Sequence, residues 1–185
     1  MKRLVLALAA LAFALPAAAR DWNVDAARSS LGFVGTYQGE AFDGTFKRFT
    51  ARIAYDPADL AHARFDVTVD LASAGTQNAE RDQMLPGADF FDVAKFPAAH
   101  FVSSAFRRAA DGGVLADGTL TLRGVSKPVT LTVKFAPAGG GATLDVATTL
   151  KRLDYGIGGG DWADTSVIAD AVTVKSHLVL TPAGG

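Results

Sequence analysis

"GTLTLRGVSKPVTLTVKF", residues 118–135, decides the fold. Leu120 and Leu122 alternate with Thr119, Thr121 and Arg123. After the Gly- and Pro-bearing break "RGVSKP" (123–128), Val129, Leu131, Val133 and Phe135 alternate with Thr130, Thr132 and Lys134. A period of two places one face of each run in an apolar interior and the other in water, as in a half-buried strand. The break between the runs carries hairpin punctuation.

The same rhythm extends outward. "RFDVTVDLAS" (64–73) sets Phe65, Val67, Val69 and Leu71 against Asp66, Thr68 and Asp70. "AVTVKSHLVLT" (171–181) keeps Val172, Val174, Leu178 and Leu180 in phase. "LGFVGTY" (31–37), "AFDGTFKRFTARIAY" (41–55) and "ATLDVATTL" (142–150) supply further aromatic and β-branched runs. "DGG" (111–113), "DG" (117–118) and "PAGGG" (137–141) separate strands. Only "TQNAERDQML" (76–85) reads as a helix, with "GGDWADTSVIAD" (159–170) a loop or short helical turn. Seven or eight antiparallel strands must protect their edges, which leaves a sandwich or a closed barrel.

The chain of 185 residues opens on "MKRLVLALAALAFALPAAAR". Lys2 and Arg3, the short apolar run Leu4–Leu15 and the Ala17-Ala18-Ala19 site are expected to form a secretory signal peptide over residues 1–19. Residues 20–185 are then expected to form one exported domain. Loss of Lys2 and Arg3 makes the formal charge of −1 two units more negative, which argues against a nucleic-acid partner. The sequence has no cysteine, so disulfides, thiolate nucleophiles and thiolate metal sites are excluded.

No catalytic pattern is marked. There is no G-x-S-x-G, and His62, His100 and His177 lie on separate segments. No His-x-x-x-His or carboxylate cluster has metal spacing. "YGIGGGDW" (155–162) lacks both the dinucleotide and the Walker patterns, although its backbone N–H groups could cradle an anion. What stands out is "ADFFDVAKFPAAHF" (88–101), with Phe90, Phe91, Phe96 and Phe101 in a stretch that fits neither helix nor strand period. It reads either as a core plug or as the apolar mouth of a ligand site.

"FDGTFKRFTARIAYDP" (42–57), "RDQMLPGADFFDVAKFPAAHF" (81–101), "GTLTLRGVSKPVTLTVKF" (118–135) and "LKRLDYGIGGGDW" (150–162) together resemble the YceI-like family. The resemblance covers essentially all of residues 20–185. It implies an all-β fold, an eight-stranded antiparallel lipocalin-like barrel with one or two short helices. It further implies a periplasmic protein that encloses a long isoprenoid, a polyprenyl phosphate or a quinone tail, with no catalytic activity and no covalent cofactor. Partners would be that small molecule and, in passing, a membrane or membrane protein, with a homodimer left open.

On that reading the inward faces form the ligand-binding set: Phe33, Phe46, Phe65, Val67, Val69, Leu120, Leu122, Leu131, Val133 and Phe135. Phe90, Phe91 and Phe96 would close one end where the helix rejoins the barrel. Arg81, Arg123, Lys127 and Arg152 are the candidate headgroup contacts, since Arg and Lys suit phosphate by charge and donor geometry. Two other classes remain: an enzyme acting on a hydrophobic substrate, which needs acids or bases converging inside the barrel, and a filled barrel that works through its loops.

Overall fold

The computed structural model describes residues 19–184, so nearly all of the expected signal peptide lies outside the described residues. Among the described residues there are eleven strands: β1 (Asp21–Val24), β2 (Ser30–Tyr37), β3 (Glu40–Phe46), β4 (Phe49–Ala54), β5 (Arg64–Asp70), β6 (Ala74–Gly75), β7 (Ala98–Arg108), β8 (Val114–Leu122), β9 (Val125–Ala138), β10 (Gly141–Lys151) and β11 (Ala171–Pro182). All pair antiparallel. The ladder β1–β4–β5–β7–β8–β9–β10–β11 returns to β1 through Trp22↔Pro182 and Val24↔Leu180, closing an eight-stranded barrel. A closed sheet has no edge to protect, which selects the barrel over the sandwich.

The extra strands arise because three barrel strands are kinked. β1 and β2 are one strand broken by the Asp25 side chain, which accepts from the N–H of Ala27 (3.1 Å) and Arg28 (3.2 Å). β3 and β4 break at Lys47 and Arg48, whose N–H groups bond to the Ser73 carbonyl (3.2 Å) and Oγ (3.0 Å). β5 and β6 break at the 3-10 turn Leu71–Ser73, capped by Asp70 accepting from Ala72 N–H at 2.9 Å. Short polar side chains at each kink take over backbone bonds that a straight ladder would make.

The hairpin between β8 and β9 is tighter than the sequence suggests. Only Arg123 and Gly124 turn, with φ of 50° and 74°, the left-handed pair that a two-residue hairpin needs. Lys127 and Pro128 therefore lie inside β9 rather than in a loop. β9 pairs with β8 alone over this stretch, because its pairing with β10 starts at Thr132, so Pro128 sits where one side of the strand is free.

β7 is the strand that periodicity does not announce. It places Ala99 and Phe101 inward, shifts register between Ser103 and Ala105, and turns Phe106 inward one step out of phase. At that shift the Ser103 Oγ accepts the Phe65 N–H at 2.8 Å. The expected helix is present but short: α1 (Ala79–Met84), with Asn78 capping Arg81 N–H at 2.9 Å and Asp82 reaching back to Thr76 N–H (2.7 Å) and Oγ1 (2.6 Å).

Two clusters fill the ends. At one end Trp22, Tyr55, Phe65, Phe106 and Phe135 form a floor with ring centroids 4.8–5.9 Å apart. The Trp22 indole N–H is satisfied by the Tyr55 carbonyl at 2.9 Å. At the other, Phe33, Leu71, Leu85, Phe91, Leu122 and Tyr155 are buried together. Phe33 lies flat on Gly44, where an added Cβ would stand 2.2 Å from the ring tip. Gly44→Ala is expected to push Phe33 off its rotamer and cost about 1–3 kcal/mol, read by chemical denaturation. An unchanged midpoint would show that the ring yields freely.

Candidate functional site

A cavity of ≈ 240 Å³ runs inside the barrel between these two clusters. Leu144, Val129, Phe65 and Ile53 form its lower wall, over the aromatic floor. Its upper wall is built by two loops outside the ladder, 85–97 and 152–170. From them Leu85, Phe90, Phe91, Tyr155, Ile157 and Ile168 reach the lining. Strand alternation explains the rest, because every second residue of each barrel strand must point inward.

The sequence-derived set divides. Phe33, Phe46, Phe65, Val67, Val69, Phe90, Phe91, Leu120, Leu122 and Leu131 line the cavity. Val133 and Phe135 point inward but lie below it, in the floor cluster. Phe96 lies off the lining. Its ring covers the hairpin, within 2.7 Å of where a Gly124 Cβ would stand, so it packs loop 85–97 onto the barrel rim. Val172, Val174 and Leu178 line the cavity as well. Their phase on the last strand was legible, whereas nothing in the sequence marks Ile157 and Ile168.

The rings of "FFDVAKF" take different tasks. Phe91 is buried against Phe46, centroids 6.1 Å apart. Phe90 borders the cavity and meets Trp162 of the opposite loop at 5.8 Å. Asp92 is buried with φ of 48°, and its carboxylate accepts from Lys95 Nζ at 3.1 Å. Gly158 N–H donates to the Asp89 carbonyl at 2.6 Å, so the two loops form one cap.

The four candidate cations are already engaged. Arg81 sits 3.9 Å over the Phe42 ring and donates Nε to Thr76 Oγ1 at 2.9 Å. Arg123 donates to the carbonyls of Gly156 and Ala88, tying both loops to the hairpin, while its Nε is buried without a partner. Lys127 pairs with Asp154 at 3.3 Å. None of these three lines the cavity.

Arg152 does line it, and is only 4% exposed. Its Nε donates to Ala169, Nη1 to Ile157 and Gly158, and Nη2 to Trp162 and Ile168, all backbone carbonyls at 2.5–3.2 Å. A guanidinium has five N–H donors, so none is left over. Burial pushes its pKa down and the nearby Asp170 carboxylate opposes that shift. Arg152 is thus the pin around which loop 152–170 folds.

The other polar lining residues are few: Thr36, Thr148, Ser176 and His100. The His100 ring points outward, with Nε2 on Asp66 at 2.8 Å. His62 and His177 pair with Asp59 (2.8 Å) and Asp145 (2.6 Å) on the exposed surface. Among the described residues no group of three His, Asp or Glu side chains is placed to hold a metal. The hydrogen bond from His100, and then that from Arg64, holds the Asp66 carboxyl below its ordinary pKa. The stability this adds is present above the unfolded carboxylate pKa and is lost as pH falls through the lower folded value. His100→Ala is therefore expected to raise the Asp66 pKa, read by carboxyl-carbon NMR. An unmoved titration would assign the shift to Arg64.

Comparison with known proteins agrees with this architecture. The YceI-like domain profile matches residues 22–180. A UPF0312 protein of Vibrio vulnificus is 36% identical over 135 residues, 70% of this chain and 71% of the relative. Another, from Vibrio cholerae, is 32% identical over 169 residues, 85% of this chain and 89% of the relative. The crystal structure of Burkholderia cenocepacia BcnA superposes with a TM-score of 0.81 at 36% identity, covering 85% of this chain and 99% of that one. At 19% identity, a polyisoprenoid-binding domain from Saccharophagus degradans shares the fold, with a TM-score of 0.67 over 89% of this chain and 99% of its own. With the profile spanning the whole barrel, the chain belongs to the YceI-like family.

Proposed function

We propose that this protein is a periplasmic binding protein, not an enzyme, that holds the tail of a long isoprenoid inside its barrel for carriage or storage. The observation that carries this reading is the cavity itself: apolar along the barrel, closed below by rings, and bordered by one charged side chain whose donors are all taken. Such a site recognises a chain by burial and shape. Each methylene withdrawn from water contributes about 0.8 kcal/mol before association costs. Methyl-branched chains suit a wall of Val, Leu and Phe, which packs closely without polar atoms to satisfy. The Saccharophagus degradans neighbour, described as polyisoprenoid-binding, supports the same ligand class through shared fold. Binding is favoured over catalysis because the lining brings no acid and base together, and over a filled barrel because the interior is open.

The test is extraction from vesicles. Phosphatidylcholine vesicles carrying a long-tailed quinone are mixed with the protein and separated by flotation. About one quinone per protein is expected to stay with the protein, while the same quinone ring without its tail is not retained. Retention of the bare ring, or of neither compound, would defeat the proposal.

A further inference from the structure

The barrel wall is not laddered all the way round. Between the first two kinked strands, pairing of β2 with β3 ends at Gly32↔Thr45, and pairing of β1 with β4 resumes only at Trp22↔Ile53. No strand pairing joins residues 23–30 to residues 47–52; the Asp25 N–H turns instead to the Val179 carbonyl, and those of Lys47 and Arg48 turn to Ser73. The result is a seam, and outside it lies a cleft of ≈ 520 Å³.

Leu31, Phe46 and Phe49 line both this cleft and the barrel cavity. All three are half-buried, and Leu31 and Phe46 stand at the end of the β2–β3 ladder, where the unpaired stretch begins. The outer rim is chemically unlike the cavity. Lys47 and Arg48 stand on it, exposed, beside the hydroxyls of Ser30, Thr45 and Thr50. Arg48 gives its Nε to Asp70 at 2.8 Å, which orients the guanidinium. Among the described residues its Nη1 and Nη2 and the Lys47 Nζ take no partner. At the capped end, by contrast, every candidate cation is already bonded.

We infer that the seam is a side mouth of the cavity, and that the anionic, phosphate-type headgroup of the bound amphiphile sits in the cleft against Lys47 and Arg48. The tail passes beyond the end of the β2–β3 ladder, between the Leu31 and Phe46 side chains at one edge of the seam and Phe49 at the other. Charge-assisted bonds from a guanidinium edge and an ammonium are the chemistry that holds phosphate at a surface. This inference rests on the isoprenoid reading above and adds the headgroup and its place.

The experiment compares geranylgeranyl phosphate with geranylgeraniol, which differ only at the headgroup, by titration calorimetry. Wild type is expected to bind the phosphate more tightly, with the preference shrinking as salt rises. The double variant K47E/R48E is expected to lose about tenfold for the phosphate and to bind the alcohol unchanged. K47E alone, which breaks no ion pair, is expected to move the phosphate in the same direction, about threefold. The conservative K47R/R48K retains the preference. Equal loss for both ligands, or no loss for either, overturns the side mouth while leaving the barrel site standing. So does inorganic phosphate binding as tightly as geranylgeranyl phosphate, which would make the cleft a free-anion site. If wild type binds neither lipid, the barrel reading falls with it.

Discussion

Arg152→Ala is expected to destabilise the protein by about 3 kcal/mol or more, lowering Tm by roughly 6–12 °C for a domain of this size. The reason is concentration. Five carbonyls from residues 157, 158, 162, 168 and 169 converge on one guanidinium, and removing it leaves them without a common donor in a buried place. The loop's other ties are single bonds at its margins, such as Ala169 N–H to the Thr36 carbonyl, Gln38 N–H to the Val167 carbonyl and Arg123 to the Gly156 carbonyl. Its glycines Gly156, Gly158 and Gly160 all adopt positive φ, and a Cβ on Gly158 would stand 2.7 Å from Arg152 Nη1. Arg152→Lys keeps the charge but offers three donors in place of five, so it should recover only part of the loss. Thermal unfolding followed by circular dichroism checks both. Because this loop supplies Tyr155, Ile157 and Ile168 to the cavity, ligand retention should fall in parallel. A full-stability Arg152→Ala protein would mean that the loop is held by its Phe90–Trp162 and Asp89–Gly158 contacts instead.

Val174→Trp is expected to weaken binding about fifty-fold while sparing the fold. Val174 sits on β11 between Phe33 of β2 and Thr148 of β10, pointing into the cavity. An indole there occupies space meant for the ligand. Displacing three methylenes of tail forfeits about 2.4 kcal/mol, close to fifty-fold in affinity. Stability should hold or rise, since filling an apolar void reverses the cost of leaving one. Lipid retention and Tm measured on the same preparation give the decision. Lowered Tm with normal retention would place the ligand elsewhere.

Much of this architecture was legible because barrel strands obey a period of two. Phe65, Val67 and Val69, like Leu120 and Leu122, are inward for the reason their alternation gives. Where the period breaks, so does the reading. β7 hides behind the register shift at Ser103–Ala105, and the kinks at Asp25, Lys47 and Ser73 depend on side chain–backbone bonds that no spacing reveals. Depth was also invisible. Val133 and Phe135 share a face with Leu131, yet lie in the floor because the cavity ends above them. The cations were misleading for a physical reason. Arg123 and Arg152 look available in sequence, but each is consumed by carbonyls of loops whose course only the folded chain shows. Lys47 and Arg48, which face the seam, carry no sequence signal at all.

On the proposed function, an isoprenoid chain occupies the barrel in the cell. The decisive experiment is native mass spectrometry of the protein purified from its native host, followed by organic extraction. A single added mass per chain is expected, released into the organic phase and identified as a long isoprenoid, with a phosphate-type headgroup if the seam is its mouth. A protein that arrives empty, and stays empty after exposure to long isoprenoids, would contradict it.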